Sequence, residues 1–205
     1  MSEGLRELKM RATRRAMEAA AVDLAYSEGV RAVTVDRVCA SAMVSRSTFF
    51  NYFTSLEEAI FGSALDYDPN LTARILGSHS DDLVVAASLI VMESVRGPAD
   101  DVVTQRRFAL FVREPGLATD VSWASHESRE GLVSVIATWL ETHPDHARLP
   151  QADRETEARL IVALSIALGD EVQRFAREVD GEVSPAPDAF RIARERIAAI
   201  AAHTD

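Results

Sequence analysis

The stretch Thr34-Val-Asp-Arg-Val-Cys-Ala-Ser-Ala-Met-Val-Ser-Arg-Ser-Thr-Phe-Phe-Asn-Tyr-Phe53 constrains the fold most, because it spells two helix starts with room between them only for a short helix and a tight turn. Thr34 is a good N-cap, and Val35, Val38 and Cys39 recur at the spacing that puts small apolar groups on one helix face. Ala42-Met43-Val44 is the turn. Ser45 then caps a second helix, and at about 100° per residue Phe49 and Phe53 share its inner face while Ser47, Thr48 and Asn51 cluster opposite. The outer face is polar, hydrogen-bonding and nearly uncharged.

An outward cluster of hydroxyls and an amide suits a helix lying in the major groove of DNA, where base edges offer donors and acceptors rather than charge. Arg46 adds a fork suited to guanine or phosphate. The competing reading, that Ser47, Thr48 and Asn51 are merely solvated, fits an arbitrary amphipathic helix equally well. The surrounding residues decide between them.

Those residues form a whole N-terminal unit: an Ala-rich first helix with Ala16, Ala19 and Ala20, a Glu28-Gly29-Val30 stop, Thr34-Val35 opening the second helix, Val44-Ser45 opening the third, and Thr48-Phe49-Phe50-Asn51-Tyr52-Phe53 followed by Ser55 and Glu57. In this order they closely resemble the tetracycline-repressor (TetR) family of bacterial transcription regulators, over about the first quarter of the chain. The resemblance implies an all-α protein, with a three-helix DNA-binding domain (residues 1–54) containing a helix-turn-helix and a larger helical effector-binding and dimerisation domain (residues 55–205). It implies that Thr34 and Tyr52 bind phosphates and that Ser45, Arg46, Ser47, Thr48 and Asn51 face the groove, with Phe50 beside them. Three positions depart from the family. Met43 stands where glycine is usual in the turn, so either it is left-handed at a cost of roughly 1–2 kcal/mol or the turn differs. Phe50 replaces a common tyrosine and Leu56 a common lysine, and both changes predict a weaker grip on the DNA backbone.

A net charge of −10 looks wrong for a DNA binder until its distribution is examined. Residues 1–60 carry eight basic and eight acidic side chains, so all the excess negative charge lies downstream. Within residues 6–15, Arg6, Lys9, Arg11, Arg14 and Arg15 face only Glu7, a local cluster able to reach phosphates; a solvated helix start is the plainer reading of any one of them. The single cysteine, Cys39, excludes an internal disulfide and fits a small core position, with a redox role as the alternative. No apolar run of about 18 residues and no signal-peptide pattern is present, which predicts a cytoplasmic protein.

Beyond Phe53 the signals remain helical. Helices are expected from Ser55 through Leu65, broken by Asp66-Tyr-Asp-Pro69; from Leu83 to about Val95, hydrophobic enough all round to be central; from Ala99 to Arg113; from Leu117 to about Glu141; from Gln151 to about Glu178; and from Pro187 to about Ala202. No strand pattern is visible, and Gly181-Glu-Val-Ser-Pro-Ala-Pro187 reads as a linker.

The last two helices carry more apolar surface than a thin helical layer needs: Leu160, Leu164, Leu168, Val172 and Phe175 on one, Phe190, Ile197 and Ile200 on the other. The resemblance implies that they pair with their copies in a homodimer, which would offer two reading helices to half-sites about one turn apart. A monomer that packs both helices into its own core is the alternative. Phe61, Tyr67, Phe108, Phe111, Trp123, His126 and Trp139 are expected around one centre, with Trp123 and His126 on one helix face. Plain core is the usual reading of such a set; the family resemblance implies a pocket for a small, apolar effector that releases DNA by shifting the dimer toward wrongly spaced heads.

Little supports an enzyme. There is no Gly-rich phosphate loop and no G-x-S-x-G sequence. His143 and His146 have a metal-like spacing, but Pro144 prevents a regular helix from aligning them, so neither a metal nor any other cofactor is expected. Asp170 and Glu171 are sequence neighbours that point different ways. A helical protein-protein adaptor with a degenerate DNA-binding head is the remaining class, and it leaves the polar face of the third helix unexplained.

Overall fold

Residues 5–28 fold as they do because small apolar residues and methionine recur among charged ones at helical spacing: Met17, Ala20, Ala21, Val22 and Ala25 are buried along one side of α1 (Leu5–Glu28). The computed structural model describes residues 4–96, 102–113, 122–149, 154–179, 182–185 and 188–201. Gly29 ends α1 at φ 90°, a conformation costly to any side chain, and its N–H bonds back to Ala25 O at 2.9 Å. A 3-10 turn over Val30–Ala32 leads into α2 (Val35–Ala42) and α3 (Arg46–Phe50). Arg37 ties α2 back to α1, donating to Glu28 at 2.5 Å and to Ala32 O at 2.9 Å, and this bond holds the Glu28 carboxyl below its usual range.

The helix capped by Ser55 is shorter than the expected run to Leu65. It is α4 (Leu56–Phe61), ended by Gly62 at φ 95°. A Cβ there would lie 3.8 Å from both Arg107 Nη1 and Ser122 Oγ, so the stop coincides with close packing of the following elements. Asp68-Pro69 does more than break a helix: Asp68 accepts from Leu71 N at 2.8 Å and Pro69 starts α5 (Pro69–Ser78). Next come α6 (Leu83–Arg96), central as expected with Ala86, Ala87 and Ile90 fully buried, and α7 (Val102–Arg113). The Ala99 start of that helix and the Glu114–Gly116 break lie outside the described residues, as does Leu117.

The long helix expected from Leu117 to about Glu141 is not continuous among the described residues. Ser122–Ala124 form a 3-10 turn, Ser125 accepts from Ser128 N at 3.2 Å, and α8 spans His126–Thr142. Ser128 is the centre of a buried polar knot: its hydroxyl donates to Ser122 O at 2.6 Å and accepts from Leu65 N at 2.8 Å, while its carbonyl accepts from the Tyr67 hydroxyl at 3.1 Å. Burial pushes the Tyr67 phenol well above its ordinary value. The folded state therefore keeps a proton that the unfolded chain releases above about pH 10, and stability is expected to fall as pH rises from there, at up to about 1.4 kcal/mol per pH unit. Urea midpoints of the wild type and Tyr67→Phe between pH 8 and 11 check this; the variant should show the shallower loss.

Helix α9 (Arg154–Gln173) packs against both α8 and α6, and α10 (Ala189–Ala201) packs on α9. The expected continuation of α9 to Glu178 is replaced by a turn, in which Phe175 N bonds to Val172 O, and by an antiparallel hairpin of β1 (Ala176–Val179) and β2 (Glu182–Pro185) lying against α7. Its register pairs Ala176 with Pro185 and Val179 with Glu182, so part of the expected linker is a strand. Apart from this hairpin, the regular elements among the described residues are helical.

Three buried clusters result. One gathers Met17, Val38, Phe49, Phe53, Ile60 and Phe61 and is closed by Leu110 and Phe111 of α7. A second unites α5, α6, α8 and α9 around Ile90, Leu132, Ile136 and Leu140. The third, smaller, sets Leu168 and Val172 against Ala189 and Ala193.

Candidate nucleic-acid interface

Local capping builds the reading head. Thr34 Oγ1 accepts from Arg37 N at 3.3 Å, and Ser45 Oγ accepts from Thr48 N at 3.1 Å. Between them Met43 adopts the left-handed conformation, φ 54° and ψ 44°, with Val44 N bonded to Cys39 O at 3.0 Å. The methionine thus keeps the turn that glycine would make, at a local cost. Its side chain is 92% exposed, so nothing packs against it. Met43→Gly is therefore expected to raise stability by about 1 kcal/mol, read as a higher thermal midpoint with DNA affinity retained.

Helix α3 is only five residues long, and Asn51 stands at its C-cap. The chain nevertheless stays coiled, since Phe53 N bonds to Phe49 O at 3.0 Å, and both Phe49 and Phe53 are buried as their spacing requires. The Phe49 ring meets Phe53 at 5.2 Å and the edge of Phe50 at 5.3 Å. On the other side Ser45, Arg46, Ser47, Phe50 and Asn51 are exposed, with Thr48 and Tyr52 half-buried. The hydroxyls of Ser47 and Thr48 each lie 2.8 Å from Ser45 Oγ, a linked row that retains acceptor capacity toward base edges.

The basic cluster divides. Arg14 turns inward: it stacks over Phe53 at 4.8 Å, bonds Glu18 at 3.0 Å and Glu58 at 3.3 Å, and donates to Tyr52 O at 3.3 Å. It fastens α1 to the end of the reading helix, a role its place among the other cations did not suggest. Arg6 and Lys9 instead line an open groove with Leu5, Met10, Thr13 and Tyr52. Cys39 is buried, and desolvation together with the Asp36 carboxylate pushes its thiol upward, the opposite of an activated thiolate.

Residues 19–58 match the model of the bacterial regulatory proteins, tetR family. Over these residues the chain is similar to that family. It is 28% identical over 179 residues to the HTH-type transcriptional regulator TcmR of Streptomyces glaucescens, an alignment covering 83% of this chain and 76% of that protein. Two solved structures align along most of its length: Salmonella enterica GusR, at 15% identity, covering 92% of this chain and 95% of that one, TM-score 0.45; and the SCO7518 protein of Streptomyces coelicolor A3(2), at 23% identity, covering 93% and 98%, TM-score 0.41. The family match and this relative support a DNA-binding transcriptional regulator. No helix among the described residues is long and apolar enough to cross a membrane.

In this chain the seven residues expected around one pocket fall into separate places. Phe61, Phe108, Phe111 and Trp123 form a chain of rings, with centroids 5.4 Å apart for Phe61–Phe111 and 6.4 Å for Phe111–Trp123. Tyr67 belongs to the second buried cluster. His126 is exposed and does not share a helix face with Trp123, because Ser125 separates the 3-10 turn from α8. Trp139, at the far end of α8, stacks on His143 at 4.5 Å and lies 5.2 Å from His146, so the two histidines surround an indole. Among the described residues no three His, Cys, Asp or Glu side chains gather as metal ligands.

The apolar residues of the last two helices also divide. Leu168 and Val172 are buried within the protomer, with Phe175, Phe190 and Ile197 partly buried around them. Leu160, Leu164 and Ile200 are exposed, at 50%, 41% and 80%. Asp170 and Glu171 diverge as their adjacency requires: Asp170 is exposed, and Glu171 bonds to Arg196 of α10 at 2.5 Å.

Proposed function

We propose that this chain acts in the cytoplasm as a homodimeric repressor of a palindromic operator. The observation that carries the reading is the outward row of Ser45, Ser47, Thr48 and Asn51, flanked by Arg46 and Phe50, on a helix whose inner face is locked by Phe49 and Phe53. Ser47, Thr48 and Asn51 read base edges. Thr34, Tyr52, Arg6 and Lys9 contact phosphates. Residues 1–54 form the reading domain, and residues 55–205 pair the two copies and receive the effector. Leu160 and Leu164 of α9 and Ile200 of α10 support the pairing, because an apolar stripe one helix turn apart stands exposed on the protomer while Leu168, Val172, Phe175, Phe190 and Ile197 brace it from within.

A small apolar effector docks against the Phe108, Phe111 and Trp123 rings. Phe61, the last residue of α4, belongs to that chain of rings, so a displaced Phe111 is felt at the head. Coupling of about 1–3 kcal/mol suffices for release.

Selection from a random duplex library by the purified chain near physiological salt tests the operator reading, with sedimentation giving the mass. A palindrome with half-sites about one helical turn apart, bound at roughly 10⁻⁸ M or tighter by a dimer, is expected. Binding that is weak, salt-sensitive and indifferent to sequence would overturn it. Ser47→Ala with Asn51→Ala should abolish the preference and leave the fold intact.

A further inference from the structure

Arg46 is the first residue of α3, the end from which a recognition helix presents side chains to base edges. Its guanidinium is held on two sides. Nη1 donates to Asp36 Oδ1 of α2 at 2.8 Å, and the group lies 5.9 Å from the centroid of Phe50, over the ring. Phe50 is itself set edge-on against the buried Phe49. A chain of contacts therefore runs from the core of the head through an exposed aromatic ring to an exposed fork.

Stability does not account for this arrangement. The Arg46 and Asp36 side chains are 60% and 71% exposed, and an ion pair so open to water adds little to folding. Phosphate binding does not account for it either, since a carboxylate beside the cation opposes an approaching polyanion. What the carboxylate does supply is direction. With one amino nitrogen committed to Asp36, the plane of the guanidinium is fixed and its remaining donors are free to bond O6 and N7 of a guanine together, an in-plane pairing that an unsupported arginine must first pay entropy to reach.

We propose that Asp36 and Phe50 aim Arg46 at a guanine in each operator half-site, so that Asp36 is a positioning residue that sets sequence preference without touching the DNA. The inference rests on the operator reading given above.

Selection and anisotropy with the full-length chain test it, comparing the wild type with Asp36→Asn and Arg46→Lys on the selected operator and on that operator with one guanine replaced. For the wild type, replacing the guanine read by Arg46 is expected to weaken binding roughly 5- to 150-fold. Arg46→Lys keeps the charge and loses the fork, so this discrimination should collapse while the salt slope stays the same. Asp36→Asn should leave affinity for non-operator duplex equal or tighter and cut the discrimination by roughly threefold or more, with an unchanged thermal midpoint. Asp36→Asn tightening all duplexes by a common factor with the guanine preference intact, or a silent Arg46→Lys, would overturn the proposal. A wild-type chain that enriches no sequence overturns the operator reading itself, which is a separate result.

Discussion

Phe49→Ala is expected to lower the unfolding free energy by about 3–5 kcal/mol and to abolish sequence-specific DNA binding. Phe49 is fully buried and packs on the Phe53 and Phe50 rings. Removing it opens a cavity under a five-residue helix that has no other large inward side chain within its bounds. Phe53, the ring on which Arg14 stacks, would lose its ring neighbour. Urea unfolding checks the first part: the midpoint should fall with little change in slope. Phe49→Leu keeps most of the volume and should cost markedly less. A variant with a wild-type midpoint would mean that α3 is held by something other than this aromatic cluster.

The head was legible in the sequence because its determinants are local. Thr34, Ser45 and Ser55 are caps whose partners lie three residues on, and Phe49 and Phe53 are one helical turn apart. Boundaries failed where local and tertiary signals part. Nothing in the apolar period around Trp123 shows that Ser122–Ala124 form a 3-10 turn and that α8 is capped at Ser125. Gly62 ends α4 short of Leu65 at a positive φ, with Arg107 and Ser122, both distant in sequence, in ordinary contact range of it. Four-residue strands such as Ala176–Val179 are too short for a period of two to show.

Side-chain commitments were the least legible part. Arg14, Arg37 and Arg46 look alike in a list of cations, yet one clamps Glu58 across 44 positions, one ties Glu28, and one bonds Asp36. Helix α9 has apolar residues on more than one face, and only packing reveals that Leu168 faces inward while Leu160 and Leu164 do not. Glu157 carried no signal at all.

Glu157→Ala is expected to cost about 3–5 kcal/mol, as large an effect as the loss of Phe49. Glu157 is a buried carboxylate near the start of α9, and it accepts from Arg148 N at 2.6 Å and Leu149 N at 3.4 Å. The Arg154 guanidinium lies 3.7 Å away, with Nη1 buried and making no hydrogen bond, so Glu157 supplies the charge that offsets its burial. Alanine would leave two backbone N–H groups and a cation without their acceptor, and the loop that follows α8 would lose its anchor on α9. Arg148 extends that loop to the α5–α6 turn by donating to Asp81 O at 2.7 Å, so the disturbance should reach both neighbouring helices. Glu157→Gln keeps one acceptor and loses the charge, and its cost should be smaller, about 1.5–3 kcal/mol. Urea midpoints of the three proteins should therefore fall in the order wild type, Gln, Ala. Because α9 also carries Leu160 and Leu164, a tilted helix start should loosen the proposed dimer in the same order by sedimentation at micromolar concentration. Equal midpoints for Gln and Ala would place the energy in the charge beside Arg154 rather than in the loop hydrogen bonds.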